Sequence, residues 1–166
     1  MTTYYHYHTT PIGQLLLAGD GDYLTLLGFP EGSMARRHEA TWSRDSKPFR
    51  EVIFQLDGYF AGELQDFDLP LAPLGTEFQQ TVWNALLEIP YAETWSYGEL
   101  ARHIGRPKAS RAVGAANGLN PIPVIIPCHR VIGSNGKLTG FGGGIKTKQF
   151  LLNLESEAVS PGLNFG

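Results

Sequence analysis

The chain is short of thiols: Cys128 is the single cysteine among 166 residues. One thiol excludes an intramolecular disulfide framework and any zinc site built on paired cysteines. A reducing, cytoplasmic compartment is therefore the default expectation. No apolar run approaches the ~20 residues that a spanning helix needs. Met1 to Thr10 lacks both the basic segment and the apolar stretch of a secretory leader, so neither an anchor nor export is expected. Charged residues are also scarce, at 17%. Acidic residues are missing altogether from residues 100–154, which carry eight Lys and Arg, whereas residues 1–99 carry five Lys and Arg against 14 Asp and Glu. The formal charge of −3 hides this segregation. Such a division suits a surface that faces phosphates, or a solvated basic face balanced by an acidic half.

What is present suffices for a core: 42% of residues are hydrophobic, with 20 Gly and 11 Pro as punctuation. The length fits one average domain or two small ones. Tyr4 to His8, Gly13 to Ala18 and Tyr23 to Phe29 read as strands of a hairpin or meander, and residues 30–48 read as loop. Phe49, Val52, Ile53, Leu56, Tyr59 and Phe60 share one helical face, which Gly62 ends. Phe67 to Gly75, with Pro70 and Pro73, is the expected linker. Thr76 with Gln79, and Ser96 with Glu99, have capping-box spacing and open two further helices. Gly105 and Pro107 separate the second of these from a third helix, Ala109 to Gly118. Val124 to Ile126 reads as a short buried strand or extended segment, Gly133 to Gly144 as a glycine-rich loop, and Ile145 to Leu154 as the last helix. The expected fold class is α/β, with a strand-rich scaffold over 1–75 and a mainly helical unit over 76–166. No periodicity marks Ser156 to Gly166.

Two constellations bear chemistry. A short helix, a Gly/Pro turn and a second helix make a helix-turn-helix pattern. Ala109, Ala112, Gly114, Ala115 and Ala116 keep the second helix thin, so it can approach another backbone closely. Arg106, Lys108 and Arg111 surround it and could neutralise phosphates. A close-packed core helix with incidental charge is the competing reading. The second constellation is Pro127-Cys128-His129-Arg130. An isolated cysteine is usually an inert buried hydrophobe. Here it follows an apolar run, sits between rigid prolines and has a His and an Arg beside it, which suits a nucleophile with a neighbouring base. Adjacent side chains on an extended backbone point apart, so a water would have to join Cys128 to His129. His129 needs an orienting carboxylate, and Glu155, at the end of the last helix, is the first one downstream.

Pro127-Cys128-His129-Arg130-Val131, preceded by Arg111 to Gly114 and Asn120-Pro121 and followed by Gly140 to Gly143, closely resembles the O6-alkylguanine-DNA alkyltransferases. The likeness runs from about Thr76 to Glu155, and the strands-then-helix start is compatible with the family's ribonuclease-H-like N-terminal domain. The resemblance implies a winged-helix-like DNA-binding domain and irreversible, stoichiometric transfer of an alkyl group from O6-alkylguanine, and O4-alkylthymine, to Cys128 after base flipping. It assigns His129 as the base acting through a water, Glu155 as its holder, and Asn120 as the residue ordering the turn before the cysteine. Tyr97 would contact the target phosphate and lie near the flipped base, and Arg111 would fill the space the base leaves. The helix carrying Ala112 and Ala116 would enter the minor groove. Val131 would offer a backbone acceptor to the guanine amine, and Lys148 would polarise the pocket. The implied partner is double-stranded DNA carrying the lesion, bound by a monomer, with cooperative assembly left open; no cofactor and no metal are expected. Family members with Trp in place of the cysteine bind lesions without removing them, so a non-catalytic lesion sensor or DNA-binding regulator is the alternative.

Two departures stand out. Phe141 and Gly142 replace a common Tyr and an occasional Ser, removing hydroxyls that could bond the substrate oxygen. The absent side chain at Gly142 is expected to widen the pocket for longer alkyl groups. Cysteine zinc ligands found in some relatives are missing here, and His6 and His8 on one strand face are a weak pair.

Overall fold

The computed structural model describes residues 1–161. Strands β1 (Tyr4–Thr10) and β2 (Gly13–Gly19) form an antiparallel hairpin with Tyr4 opposite Gly19 and Thr10 opposite Gly13. Gly13 takes φ 101°, the left-handed conformation that this tight turn needs. β3 (Leu24–Gly28) continues the meander on the far side of β2. β4 (Ser43–Arg44) lies parallel to β1 and completes a mixed sheet of order β3-β2-β1-β4. Residues 30–48 read as loop throughout, and β4 corrects that: a two-residue strand leaves no periodic signal.

Alternation along β2 sends Leu15 and Leu17 to the main core and Leu16 and Ala18 to the other face, against Tyr5 and Leu26. Helix α1 (Arg50–Phe60) buries Val52, Leu56 and Tyr59. It also buries Gln55, whose amide exchanges hydrogen bonds with the backbone of Asp68: Nε2 donates to the carbonyl at 3.0 Å and Oε1 accepts from the amide at 2.8 Å. Residues 67–75 are thus irregular but tethered. Leu24 adds a second tie, donating to Pro70 O and accepting from Ala72 N, both at 2.9 Å.

The second half is mainly helical. Helix α2 (Glu77–Leu86) starts at a reciprocal box between Thr76 and Gln79. β5 (Trp95–Ser96) leads into α3 (Tyr97–His103), boxed by Ser96 and Glu99. A turn with Gly105 at φ 75° connects it to α4 (Ser110–Gly118). β6 (Val131–Ile132) pairs parallel with β5, and α5 (Ile145–Val159) follows the glycine-rich loop. One hydrophobic core holds Leu17 and Leu56 from the first half together with Leu86, Ile126 and Leu151 from the second. Among the described residues no helix is long and apolar enough to cross a membrane.

Two expectations need correction. Val124 to Ile126 is buried but not extended; it is a turn in which Val124 has φ 73° and Ile126 N donates to Ile122 O at 2.9 Å. Local hydrogen bonds there replace those a partner strand would have supplied. Helix α5 also runs beyond Leu154 to Val159, so Glu155 sits inside the helix and not at its end. The inward residue after Leu151 is a charged one, and apolar periodicity therefore fades from the sequence where the helix does not. Of the tail read as unpatterned, residues 162–166 lie outside the described residues.

Ala92, half-buried, also takes a left-handed φ, of 65°. That conformation costs a side-chain-bearing residue about 1–2 kcal/mol. Against it stands the ~0.5–1 kcal/mol entropic penalty of glycine. Ala92→Gly is expected to raise the unfolding free energy by roughly 0.5–1 kcal/mol in urea denaturation; a loss of stability would contradict the strain.

Candidate active site

Cys128 opens a single 3-10 turn, Cys128–Arg130, directly after the turn that replaces the expected strand. Its amide donates to Ile126 O at 2.8 Å, and Arg130 N donates to Pro127 O at 3.0 Å. Asn120 organises this approach from beneath: Nδ2 donates to Ile126 O at 2.8 Å and Oδ1 accepts from Ile122 N at 3.0 Å. Asn117, also buried, directs its Nδ2 toward Cys128 O at 3.5 Å. The thiol is buried, which pushes its pKa up to about 11, against the opposing influence of a hydrogen bond from Asn120 and the charge of Lys148. At rest it is protonated.

His129 and Glu155 are fully buried. His129 Nε2 lies 2.6 Å from Glu155 Oε2. Burial in the presence of two cations, Arg130 and Lys148, holds the imidazole below its usual pKa despite that carboxylate. Glu155 is drawn down to about 2, since the hydrogen bonds of His129 and Arg130, the charge of Arg130 and, once the ring is protonated in acid, that of His129 overcome the cost of burying it. An ionised carboxylate can only accept, so Nε2 of the neutral ring carries the proton. Nδ1 is then the basic nitrogen, and it is buried with no hydrogen-bond partner among the described residues.

Glu155 gathers four donor residues from three separate places in the chain. Arg130 Nε reaches Oε1 at 2.8 Å and its Nη2 reaches Oε2 at 3.1 Å, while Nη1 caps Ile89 O at 2.8 Å. Ala92 N, at the residue with the left-handed backbone, donates to Oε1 at 3.1 Å. Tyr59 Oη, from α1 in the first half, donates to Oε2 at 2.6 Å. Burial and the adjacent carboxylate raise the Tyr59 pKa far above its ordinary value, so it remains a donor. The sequence suggests Arg130 as a cation beside the thiol and Tyr59 as core; the structure turns the guanidinium to Glu155 and Ile89 O instead. The signal for Arg130 was available in an acid-free stretch that ends at Glu155; nothing in a helical stripe marks Tyr59 as more than apolar.

Lys148 is fully buried and donates from Nζ to Val131 O at 2.6 Å. The two residues expected on the pocket wall are therefore joined, with one lone pair of the carbonyl already engaged. Of the eight cations in residues 100–154, Arg130 and Lys148 are interior, and Arg102, Arg106, Lys108, Arg111, Lys137 and Lys146 are exposed. Arg106 lies over the Phe78 ring at 5.5 Å.

The thin helix α4 divides its small residues between two jobs. Arg111, Ala112 and Ala115 are exposed. Ala116 is not available to a groove: it is buried, and its carbonyl accepts from Trp83 Nε1 at 2.8 Å. Gly114 faces α3, where an added Cβ would stand 3.6 Å from the Tyr97 ring. Tyr97 is half-buried, and its hydroxyl bonds Thr139 of the glycine-rich loop.

The opposite wall overturns the idea that Gly142 leaves room. A Cβ on Gly142 would lie 2.6 Å from Met34 Cβ and 2.7 Å from its Cγ, so a side chain from the first half occupies the space. Phe141 meets Phe29 edge to face at 5.5 Å. His6 and His8 have ring centroids 6.5 Å apart, and His8 is engaged by Asp57 at 2.7 Å. Among the described residues no group of three or more His, Cys, Asp and Glu is arranged to hold a metal.

A protonated thiol in a turn, followed by a neutral base oriented by a carboxylate, behind a helix-turn-helix with exposed cations, defines a protein of the nucleophilic-thiol class built on a nucleic-acid-binding platform. Comparison with known proteins narrows the class. The family described as "6-O-methylguanine DNA methyltransferase, ribonuclease-like domain" matches residues 3–73, and "6-O-methylguanine DNA methyltransferase, DNA binding domain" matches residues 77–157. The methylated-DNA–protein-cysteine methyltransferase of Methanosarcina acetivorans is 57% identical over 152 residues, covering 92% of this chain and 97% of that protein. Its counterpart from Mycobacterium bovis is 56% identical over 154 residues, covering 90% and 92%. A crystal structure of Mycobacterium tuberculosis OGT in complex with DNA superposes with a TM-score of 0.88 at 54% identity, covering 93% of this chain and 94% of that one. The chain belongs to the methylated-DNA–protein-cysteine methyltransferase family. The fold is α/β: the ribonuclease-like match covers the strand-rich part, and the DNA-binding match covers the mainly helical part.

Acid should dismantle the network in a defined order. His129, kept neutral by burial, opposes the protonation that the unfolded chain undergoes below 6.5, so stability falls as pH drops past that value. Glu155, near 2 when folded and 4.5 in its ordinary state, contributes stability above pH 4.5 that is lost as pH falls from there toward 2. Denaturant midpoints measured from pH 7 to 2 should decline through both ranges. Glu155→Gln should flatten the lower range and cost about 3–5 kcal/mol at neutral pH, because Arg130 is left buried and unpaired.

Proposed function

We propose that the protein repairs O6-alkylguanine, and O4-alkylthymine, in double-stranded DNA by moving the alkyl group irreversibly onto Cys128. The observation that carries this reading is the arrangement around one turn: a thiol, then an imidazole with a basic Nδ1 whose Nε2–H is held by Glu155 at 2.6 Å. The methyltransferases of M. acetivorans and M. bovis and the DNA-bound M. tuberculosis structure support the same reaction class.

The alkyl carbon is hidden in a duplex, so the nucleotide must first leave the stack, at a cost of a few kcal/mol. Arg111, exposed on α4, is the wedge that offsets part of that cost, and Tyr97 contacts the phosphate beside it. Arg106 and Lys108 neutralise flanking phosphates, and Ala112 lets the helix lie close to the groove floor. The thiol proton passes through a water to His129 Nδ1. Sγ then attacks the alkyl carbon in line, the S–C bond forming as the C–O6 bond breaks. The departing guanine takes a proton, for which the Tyr97 hydroxyl is the donor. The proton count closes when His129 releases its proton to solvent and Tyr97 regains one. Val131 O, with its remaining lone pair, accepts from the guanine amine, and Lys148 favours the developing thiolate. No second nucleophile cleaves the thioether, so each molecule acts once, as a monomer with residues 1–75 serving as scaffold and 76–166 as the alkyltransferase part. A reducing cytoplasm suits a single free thiol.

A lesion sensor without chemistry would keep DNA affinity and leave Cys128 unmodified. Mass spectrometry after incubation with a duplex oligonucleotide carrying O6-methylguanine decides between them. The peptide containing Cys128 should gain one methyl group, with no more than one lesion corrected per molecule. Cys128→Ala should gain none while still binding the duplex. An unmodified wild-type protein in lesion excess overturns the proposal.

A further inference from the structure

The residues around Cys128 do not come from the second half alone. The segment between β3 and β4 folds on itself, with Arg36 N donating to Phe29 O at 3.1 Å and Ala35 N to Gly32 O at 3.2 Å. Its outer edge is bonded to the glycine-rich loop, Met34 N to Gly142 O at 3.0 Å. Glycines make this approach possible. A Cβ on Gly32 would sit 2.3 Å from Gly142 O, and one on Gly143 would sit 2.9 Å from the Phe29 ring.

The result is a cavity of about 20 Å³ beside Cys128, walled by Phe29, Met34, Asn120, Phe141 and Gly142. That is room for about one water molecule. Pockets that hold drug-sized ligands run to roughly 300–1,000 Å³. A base bearing an alkyl group therefore enters only as the wall yields. Asn120 is locked by two backbone hydrogen bonds, and Phe29 and Phe141 brace each other. Met34 is the unbranched, rotatable side chain of the set, half-exposed and secured through its backbone alone.

Resting on the alkyl-acceptor reading of Cys128, we propose that Met34, contributed by the ribonuclease-like part, is the specificity-determining residue for the size of the transferred alkyl group. Its side chain fills the space beside Gly142 next to the thiol. A methyl group needs little of that volume, whereas a benzyl group needs Met34 to swing out. The glycine at 142 and the methionine at 34 are one device: either a side chain on the loop or a side chain on the N-terminal segment can close this wall, and here it is the latter.

The test compares single-turnover rates on duplex oligonucleotides bearing O6-methylguanine or O6-benzylguanine, read by mass on the Cys128 peptide. Met34→Ala should raise the benzyl-to-methyl rate ratio by about tenfold or more, the scale on which pocket volume discriminates substrates. Met34→Leu, which restores bulk, should return the ratio toward that of the wild type. Gly142→Ser should slow transfer in the wild-type background and be better tolerated beside Met34→Ala, because the collision is removed. A ratio unchanged by Met34→Ala, with methyl transfer intact in the wild type, overturns the role of Met34 and leaves the acceptor reading standing. Absence of methyl transfer in the wild type overturns both.

Discussion

The structure depends on a single buried carboxylate. From α5, Glu155 brings together a base and a guanidinium of the cysteine turn, a strained backbone amide of the segment after α2 and a phenol of α1. Alone, a carboxylate in this interior would be too costly to keep ionised. With its acceptor positions saturated it remains charged, and that charge is what gives His129 a single tautomer. Arg130 is equally dependent on it, since the adjacent cation would otherwise be buried without a counter-charge. The catalytic reading and the stability of the interior therefore rest on the same oxygens, and neither can be altered without the other.

Tyr59 carries this dependence across the molecule. Its hydroxyl makes the first half part of the electrostatics around His129, and the shared hydrophobic core makes it part of the packing. The first half is thus more than a mount. It also supplies Phe29 and Met34 to the wall beside the thiol, of which Glu155 is not a part. The two contributions have opposite characters: Tyr59 is held at 2.6 Å in a saturated network, while Met34 presents a flexible side chain to a cavity.

How far the sequence reveals this follows from the physics of each signal. Periodic apolar patterns locate β1 to β3, α1 and α2, and boxes at Thr76 and Ser96 mark helix starts, because these depend on neighbours in the chain. Cys128, His129 and Glu155 stand out since a thiol, a base and the end of an acid-free stretch are conspicuous residue types. What stays hidden is what depends on contacts distant in sequence. Tyr59 looks apolar until Glu155 is seen 96 positions away. Met34 lies in a loop with no pattern, and Gly142 reads as empty space until Met34 is found filling it. The end of α5 is hidden for a related reason: its inward face carries the charge that the network needs.

Burial of the thiol looks at first like a defect in a nucleophile, since it raises the pKa to about 11 and leaves little thiolate at neutral pH. For a cysteine used once, the balance is different. A residue that must turn over thousands of times benefits from standing reactivity and an open route for products. A residue that is consumed by its first electrophile loses by reacting with anything else. A narrow cavity and a protonated, buried sulfur withhold reactivity from oxidants and alkylating agents, which meet neither an exposed site nor a thiolate. Entry of the extruded base then brings the electrophile to the sulfur, and the base at Nδ1 takes the thiol proton once that geometry is assembled, before Sγ attacks. On this view the high resting pKa and the narrow cavity are two parts of one constraint: the reagent is kept inert until its substrate assembles the reactive geometry.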